Sequence, residues 1–589
     1  MNSVMKEEPA TKLPRLAIGN SAKQGVECIV AIRHFFANRS LALSLGLVAT
    51  LLCSPAVQAI VSTPAFPLHT QGAHIVDKNG VRVRLNGAAW YGGESSDFVV
   101  AGLQAATLQG IVQQIQSQGL NTIRIPWSNQ LYESNPVVAS SAVAANPSMV
   151  GQHALTIMDQ VIAALTNAGI MVILDNHNSD AEWCCSTSDG NTLWYNSNYP
   201  ESNWLSDWEG MALRYKSNPL VIGADLRNEP RGAASWGGSA ATDWHAAAQR
   251  GGNAVLGVNP NLLIFVEGVN YALDLSGVAS LPVQLNVANQ VVYSPHDYGF
   301  DYSVLTSYSD YVSRITPNWG YLASGSNPQP LWIGEFGTCN SSSGCVSSTF
   351  SSDNGFWFSF LASYAQQYGL DWSYWALNGT QSTGSSRTYG SAETYGILNT
   401  SWSGSALSAL TTQLEAMAAA TPNVSIFPGS SISIANAGLS GSSTVSIVPL
   451  NGFTGAVSLS CAVSGGTAGK ALPTCIVPAS VSVTGSSAVT ASVSINTLAS
   501  GRMSKPLWGA AGGSTLACVF LLVLPARRRK VFLPLLLLAI AALSQSACGG
   551  GGGGGNTVVH TTPASYALSV TATIPGGSPV TTQISVKVQ

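Results

Sequence analysis

Between about Ile75 and Ala419 the chain sets out eight short apolar runs separated by segments of helical periodicity, and few architectures accept that alternation. The runs are VRVRLNGAAW (81 to 90), NTIRIPW (121 to 127), IMVILDNHN (170 to 178), VIGADLRNEP (221 to 230), NLLIFVEG (261 to 268), VVYSPHDYG (291 to 299), LWIGEFG (331 to 337) and LDWSYWALN (370 to 378). Stretches such as ALTIMDQVIAALTNAG lie between them and close on Gly or Asn, as helices leading into strands do. Eight βα repeats predict an α/β chain with a (β/α)8 barrel, the TIM barrel, over 60 to 420. An open doubly wound sheet would alternate in the same way, but no Gly-rich phosphate loop supports it.

A barrel of this kind gathers the C-terminal ends of its strands at one mouth, so the polar residues there can be read together. They are Trp90, Arg124, His177, Asn228 with Glu229, His296 with Tyr298, Glu335 and Trp375, drawn from seven of the eight runs. Two strand-end glutamates suit an acetal. Cleaving one needs a protonated carboxyl for the leaving oxygen and an ionised carboxylate to attack C1. Arg124 and the Tyr298 hydroxyl would favour the charged form of Glu335, which makes it the nucleophile. Glu229, stiffened by Pro230 and near His296, is then the acid and base, and Asn228 is placed to serve the sugar 2-hydroxyl. Only 9% of residues are charged and the formal net charge is −3, which argues against nucleic acid or an acidic polymer as partner. No Cys and His cluster has zinc spacing, so neither metal nor cofactor is expected.

The motifs IRIPW, LDNHN, DLRNEP, SPHDY, IGEFG and SYWALN, in that order over about 68 to 420, resemble those of glycoside hydrolase family 5, and within it the bacterial endo-β-1,4-glucanases. The resemblance implies Glu229 as acid and base, Glu335 as nucleophile, Arg124, His177, Asn228, His296 and Tyr298 in support, and Trp375 as a sugar platform. Trp90, Trp194, Tyr195, Trp236 and Trp375 are the expected line of stacking surfaces for a flat β-1,4-glucan. A β-mannan or mixed-linkage glucan is the alternative substrate. A glycan-binding protein without activity is the alternative class, and the intact Glu229 and Glu335 argue against it.

Outside the barrel the sequence predicts four further parts. Residues 1 to 59 read as a signal peptide or N-terminal anchor, with the apolar run Leu41 to Cys53 ahead of SPAVQA, so the enzyme is expected outside the cytoplasm, secreted or at the cell surface, and monomeric. Residues 424 to 498 alternate Ser, Thr, Val and Ile between Gly and Pro turns, resemble bacterial immunoglobulin-like repeats, and read as a β-sandwich serving as a spacer. Residues 506 to 547 hold two apolar runs around Arg527 to Lys530 and suggest a transmembrane hairpin with membrane attachment. Residues 549 to 589 are a Gly linker and two strands expected to complete the sandwich. Cys339 with Cys345 and Cys461 with Cys475 have the spacing of local disulfides, whereas the adjacent Cys184 and Cys185 could be bonded or free.

Overall fold

The computed structural model describes residues 63–347, 353–468, 470–499 and 560–589. A short antiparallel pair, β1 (His69–Gln71) and β2 (His74–Val76), precedes eight parallel strands. These are β3 (Asn86–Ala89), β4 (Thr122–Ser128), β5 (Met171–Asn178), β6 (Val221–Asp225), β7 (Leu263–Glu267), β8 (Val291–Ser294), β9 (Trp332–Phe336) and β10 (Asp371–Tyr374). Each falls on one of the eight apolar runs, β4 running one residue past its end. The order β8-β7-β6-β5-β4-β3-β10-β9 is closed by parallel bridges Tyr293 to Leu331 and His296 to Glu335, so the sheet is a barrel.

Alternation along each strand sorts side chains into a helix-facing and an inward-facing set. On β4, Ile123 and Ile125 join the layer under the helices, and the intervening Arg124 points into the barrel. The barrel floor is apolar: Leu85, Met171, Ile173, Ile222, Leu263, Phe265, Val292 and Trp332 form a separate cluster, joined by Leu68 just before β1 and Ile75 on β2. One level up the inward residues change to Arg124, Asp175, Asp225 and Glu267, all fully buried. Glu229 and Glu335 sit above that charged layer. An apolar floor therefore supports a polar plug, and the plug holds the site.

The outer helices follow from amphipathic segments with recognisable starts. The helix α1 (Leu108–Ser117) is capped by Thr107, whose side chain accepts from the Gly110 amide at 3.1 Å. Helix α2 (Ala154–Asn167) turns Leu155, Ile157, Met158, Val161, Ile162 and Leu165 to the sheet. Helices α3 (Glu201–Arg214), α4 (Trp244–Val258) and α5 (Asp353–Tyr368) continue the layer.

Beyond the barrel lie a four-stranded sheet, β11 (Asn423–Pro428), β13 (Ser440–Leu450), β17 (Val489–Asn496) and β15 (Thr474–Ile476), and a five-stranded sheet. The second sheet runs β12 (Ile432–Ile434), β19 (Val580–Val588), β18 (Ala564–Thr573), β14 (Gly455–Gly465) and β16 (Ser480–Val483). Both sheets feed one apolar core, including Val445, Val493, Leu568 and Val586. The C-terminal strand pair is thus paired to β14 and β12, as the marginal stability of a lone hairpin required. Cys461 and Cys475 are joined, and so are Cys339 and Cys345.

This β region is no free spacer. Phe427 stacks on Tyr308 with ring centroids 5.2 Å apart, and Phe427, Val448 and Leu450 belong to the same core as the barrel's outer layer. Gln367 donates to the Ser486 carbonyl at 2.6 Å and the Asn451 amide to the Gln366 carbonyl at 2.9 Å, so α5 is the docking helix. Ending the chain at 420 removes those partners and bares Tyr308 and Phe360. At about 1.5–3 kcal/mol for each large apolar side chain re-exposed, the barrel fragment is expected to melt at least about 5 °C below the longer chain. Differential scanning calorimetry of the two checks it; equal midpoints would mean that the contact adds nothing.

The expected transmembrane hairpin is corrected: among the described residues no helix is long and apolar enough to cross a membrane. The segment 506 to 547 on which that expectation rested lies outside the described residues, as does the leader 1 to 59.

Candidate active site

Arg124 organises the mouth of the barrel. Its guanidinium donates Nη1 to Glu335 Oε1 at 2.6 Å, Nε to Asp225 Oδ2 at 2.9 Å, and Nη2 to both Asn228 Oδ1 and Glu267 Oε1 at 3.0 Å. Asp175 Oδ2 lies 3.2 Å from Nη1. A fully buried cation would be costly alone; here a planar fork meets four carboxylates from four strands, and every donor edge is used. Burial works against its charge, but Asp175, Asp225, Glu335 and Glu267 outweigh that and hold the pKa well above the ordinary arginine value.

Glu335, on β9, accepts a second bond at Oε2 from the Tyr298 hydroxyl, 2.9 Å away. Glu229 follows β6 in the left-handed region at φ 48°, a conformation that costs a non-glycine residue energy and is found where a site over-determines it. Its amide is held by Glu267 Oε2 at 2.6 Å, and its carboxylate Oε1 meets His296 Nδ1 at 3.0 Å. Carboxylate oxygens of Glu229 and Glu335 come within 4.8 Å of each other, with His296 inside the same distance. Gly334, in the IGEFG motif, makes room for that imidazole: a Cβ there would strike Ser294 Oγ and lie 3.0 Å from His296 Nε2.

Burial and the surrounding charges shift these groups in different directions. Burial raises the Glu335 pKa and the Glu229 charge adds to it, whereas His296 and Arg124 pull it down. Burial works to lower the His296 pKa, but the facing Glu267 and Glu335 charges overcome it and raise it well above 6.5. His177 is pushed down to about 3 by burial and by Arg124, so it is neutral, with Nδ1 2.7 Å from Asp175 Oδ2. Two carboxylates this close cannot both ionise cheaply. Arg124 and the Tyr298 hydroxyl, both bonded to Glu335, favour negative charge on it.

A cavity of about 510 Å³ opens over the pair. His177, Asn228, Glu229, Tyr298, Glu335 and Trp375, six of the residues expected at the site, line it. Trp375 is backed by parallel rings, Tyr91 at 5.2 Å and His177 at 5.4 Å.

Four of the five expected stacking surfaces lie elsewhere. Trp90 is fully buried and donates its indole N–H to the Ala101 carbonyl at 2.8 Å. Trp194 is fully buried and donates to Glu201 at 2.9 Å. Tyr195 gives its hydroxyl to the Ala241 carbonyl, and Trp236 its indole to the Leu281 carbonyl, each at 2.9 Å. In each case a backbone or side-chain acceptor in the helix or loop layer claims the polar edge and packing claims the rings. The cleft takes Trp183, Tyr271, Phe300 and Tyr395 instead. Tyr91, which supports Trp375, is one residue past Trp90, and alternation alone would have turned it to the opposite side. Glu267, Asp175 and Asp225 were also missed, although each is an acidic residue inside or ending an apolar strand run, which is a legible signal.

Among the described residues two groups have metal-like proximity, His177 with Cys184 and Cys185, and Glu229 with His296 and Glu335. Cys184 and Cys185 are bonded to each other, so neither offers a thiolate. A cation at the second group would sit against Arg124, already paired with Glu335 at 2.6 Å.

Residues 76–381 match the family described as cellulase (glycosyl hydrolase family 5). An endoglucanase of Paenibacillus polymyxa is 42% identical over 328 residues, covering 53% of this chain and 79% of that protein. The major extracellular endoglucanase of Xanthomonas campestris pv. campestris is 33% identical over 362 residues, 58% of this chain and 70% of that one. The solved catalytic domain of the Xanthomonas enzyme superposes with a TM-score of 0.52 at 31% identity, over 60% of this chain and 99% of that domain. A hyperthermophilic endocellulase from the archaeon Pyrococcus horikoshii gives 0.51 at 26% identity, over 60% and 98%. With its strand-end glutamates, its buried arginine and more than half its length matched, the chain belongs to glycosyl hydrolase family 5, the cellulase family.

Proposed function

We propose that the protein is a retaining endo-β-1,4-glucanase in which Glu335 is the nucleophile and Glu229 the acid and base. The observation that carries the reading is the carboxylate pair on β6 and β9, within 4.8 Å and with Arg124 and Tyr298 both bonded to Glu335. Glu335 attacks C1 of the sugar on Trp375 while Glu229 passes its proton to the departing glycosidic oxygen. A glycosyl ester on Glu335 results. Glu229, now ionised, takes a proton from water, which attacks C1 from the face the leaving group vacated and frees Glu335. Asn228 serves the 2-hydroxyl, and His296 holds the Glu229 carboxylate.

A carboxylate spacing near 5 Å belongs to the retaining geometry; inverting pairs stand about 6.5–9.5 Å apart to admit a water. The first product is therefore expected as the β-anomer, and proton NMR within the first minutes of hydrolysis reads it. An α-anomer would sink the double displacement. For the substrate, a β-1,4-glucan is supported by the relatives: endoglucanases in Paenibacillus and Xanthomonas, and a Pyrococcus endocellulase solved with cellotetraose. Aromatic rings flank the cleft on both sides, Tyr271 and Phe300 from the loops after β7 and β8, and Trp183 and Tyr395 from those after β5 and β10. That suits a chain passing through rather than an end held in a pocket. Carboxymethyl cellulose, barley glucan and galactomannan assayed side by side test it, the first two being the expected substrates.

The three disulfides among the described residues and the apolar leader support an extracytoplasmic enzyme, secreted or at the cell surface. We further read the two sheets formed by 424 to 498 and 560 to 589 as an immunoglobulin-like sandwich that braces the barrel.

A further inference from the structure

The Cys184–Cys185 pair has no part in the chemistry above, yet both residues line the cleft. Asn228 Nδ2 lies 3.4 Å from Cys184 Sγ and 3.6 Å from Cys185 Sγ, and among the described residues these sulphurs are the only acceptors facing it. The opposite edge of the amide is fixed. Arg124 has only donors, so the atom 3.0 Å from its Nη2 must be the Asn228 oxygen, and the NH2 group must then face the sulphurs. Asn228 is buried, and its backbone N–H is held by the Asn176 carbonyl at 3.0 Å, so side-chain rotation is the freedom left to it. The loop that brings the cysteines is anchored on both sides. Arg231 binds the Ser186 carbonyl at 2.9 Å and Asp189 at 2.6 Å, and the Arg387 guanidinium lies 3.7 Å over the Trp183 ring.

We infer that the Cys184–Cys185 disulfide is a positioning element for Asn228: it walls the amide against Arg124 and fixes its NH2 group in the orientation that serves the sugar 2-hydroxyl. This rests on the assignment of Asn228 to that hydroxyl. Sulphur is a weak acceptor, so the pair holds the amide by shape and leaves its N–H groups undersatisfied and available to a better acceptor. A disulfide also carries no S–H donor to compete for the sugar oxygen. A dithiol reductant removes the arrangement: it takes up the S–S bond as its own cyclic disulfide and delivers two hydrogens to give two thiols, which separate beyond bonding distance and press into the space beside Asn228.

The test compares an aryl β-cellobioside with its analogue lacking the 2-hydroxyl on the sugar at the cleaved bond. The ratio of their kcat/KM values reports the 2-hydroxyl contribution. In the Cys184→Ser/Cys185→Ser variant the ratio is expected to fall about tenfold, and dithiothreitol treatment of the unmodified protein to lower it similarly. Asn228→Ala collapses the ratio, and adding the cysteine substitutions to it changes nothing further, as required of residues acting through one another. Equal losses on both substrates, or cysteine and asparagine effects that add, overturn the inference. A ratio indifferent to Asn228→Ala overturns the assignment of Asn228 and the inference together. If the serine variant does not fold, reduction of the unmodified protein still decides: Cys339–Cys345 and Cys461–Cys475 do not line the cleft, so a loss through them lowers both substrates alike.

Discussion

Glu335→Gln and Glu229→Gln are each expected to lose about 10³–10⁴-fold in kcat on unactivated β-glucan, with melting temperatures within a few degrees of the parent. Activated substrates separate the two roles. A dinitrophenyl leaving group departs without a proton, so Glu229→Gln should still show a burst of dinitrophenol followed by slow turnover, whereas Glu335→Gln should show none. Azide sharpens the contrast. Small and unhindered, it attacks C1 directly in Glu335→Gly and yields the α-glycosyl azide. In Glu229→Ala it intercepts the glycosyl ester on Glu335 and yields the β-azide. Exchanged products would reverse the assignment, and near-normal turnover of either glutamine variant on cellulose would remove that residue from the chemistry.

The pH profile follows from the same pair. kcat/KM should be bell-shaped, the acidic limb reporting protonation of Glu335 and the alkaline limb loss of the Glu229 proton. Burial raises the Glu335 pKa, and the negative charge of Glu229 is one of the groups that raise it further. In the active form Glu229 carries the proton it donates, and glutamine is as neutral as that carboxyl. On the dinitrophenyl substrate the acidic limb of Glu229→Gln should therefore stay where it is in the parent, and the alkaline limb should vanish.

The barrel was readable because its strands are buried on both faces and announce themselves as apolar runs, seven of the eight carrying a polar or aromatic residue at the end that the pattern turns to the mouth. The two strand-end glutamates and the polar residues around them were readable for the same reason. The aromatic wall was not. A tryptophan in a loop packs or stacks depending on which acceptor its indole finds, and the partners of Trp194 and Trp236, Glu201 and Leu281, are brought to them only by the tertiary fold. Trp183 and Arg387 are about two hundred residues apart in sequence, and nothing local to either foretells the cation lying on the ring. The charged plug beneath the site was half legible. Asp175, Asp225 and Glu267 interrupt or end apolar strands, and a buried acid needs a buried base, which Arg124 in IRIPW supplies.

That dependence sets the second large effect. Arg124→Lys keeps one charge but replaces a planar fork with a point, so at most one or two of Asp175, Asp225, Glu267 and Glu335 remain paired. Leaving buried carboxylates without their cation costs about 3–5 kcal/mol, enough to lower the melting temperature by roughly 10 °C, and turnover falls with the loss of charge stabilisation on Glu335. The effect on stability should depend on pH in a definite direction. Burial raises Asp175 to about 7, Asp225 to about 6 and Glu267 to about 7, above the values near 4 that carboxyls have in the unfolded chain. Between pH 4 and 7 the folded protein therefore binds more protons than the unfolded one, so the contribution of these groups is greatest below pH 4 and declines as pH rises through their folded pKa values. Weakening the cation raises those pKa values further and extends the decline to higher pH. Arg124→Lys should accordingly lie closest to the parent in melting temperature at pH 5 and furthest from it at pH 8. Scanning calorimetry across that range checks the sign: a gap that is constant or widens toward acid would mean that the arginine does not hold the carboxylates in their ionised state.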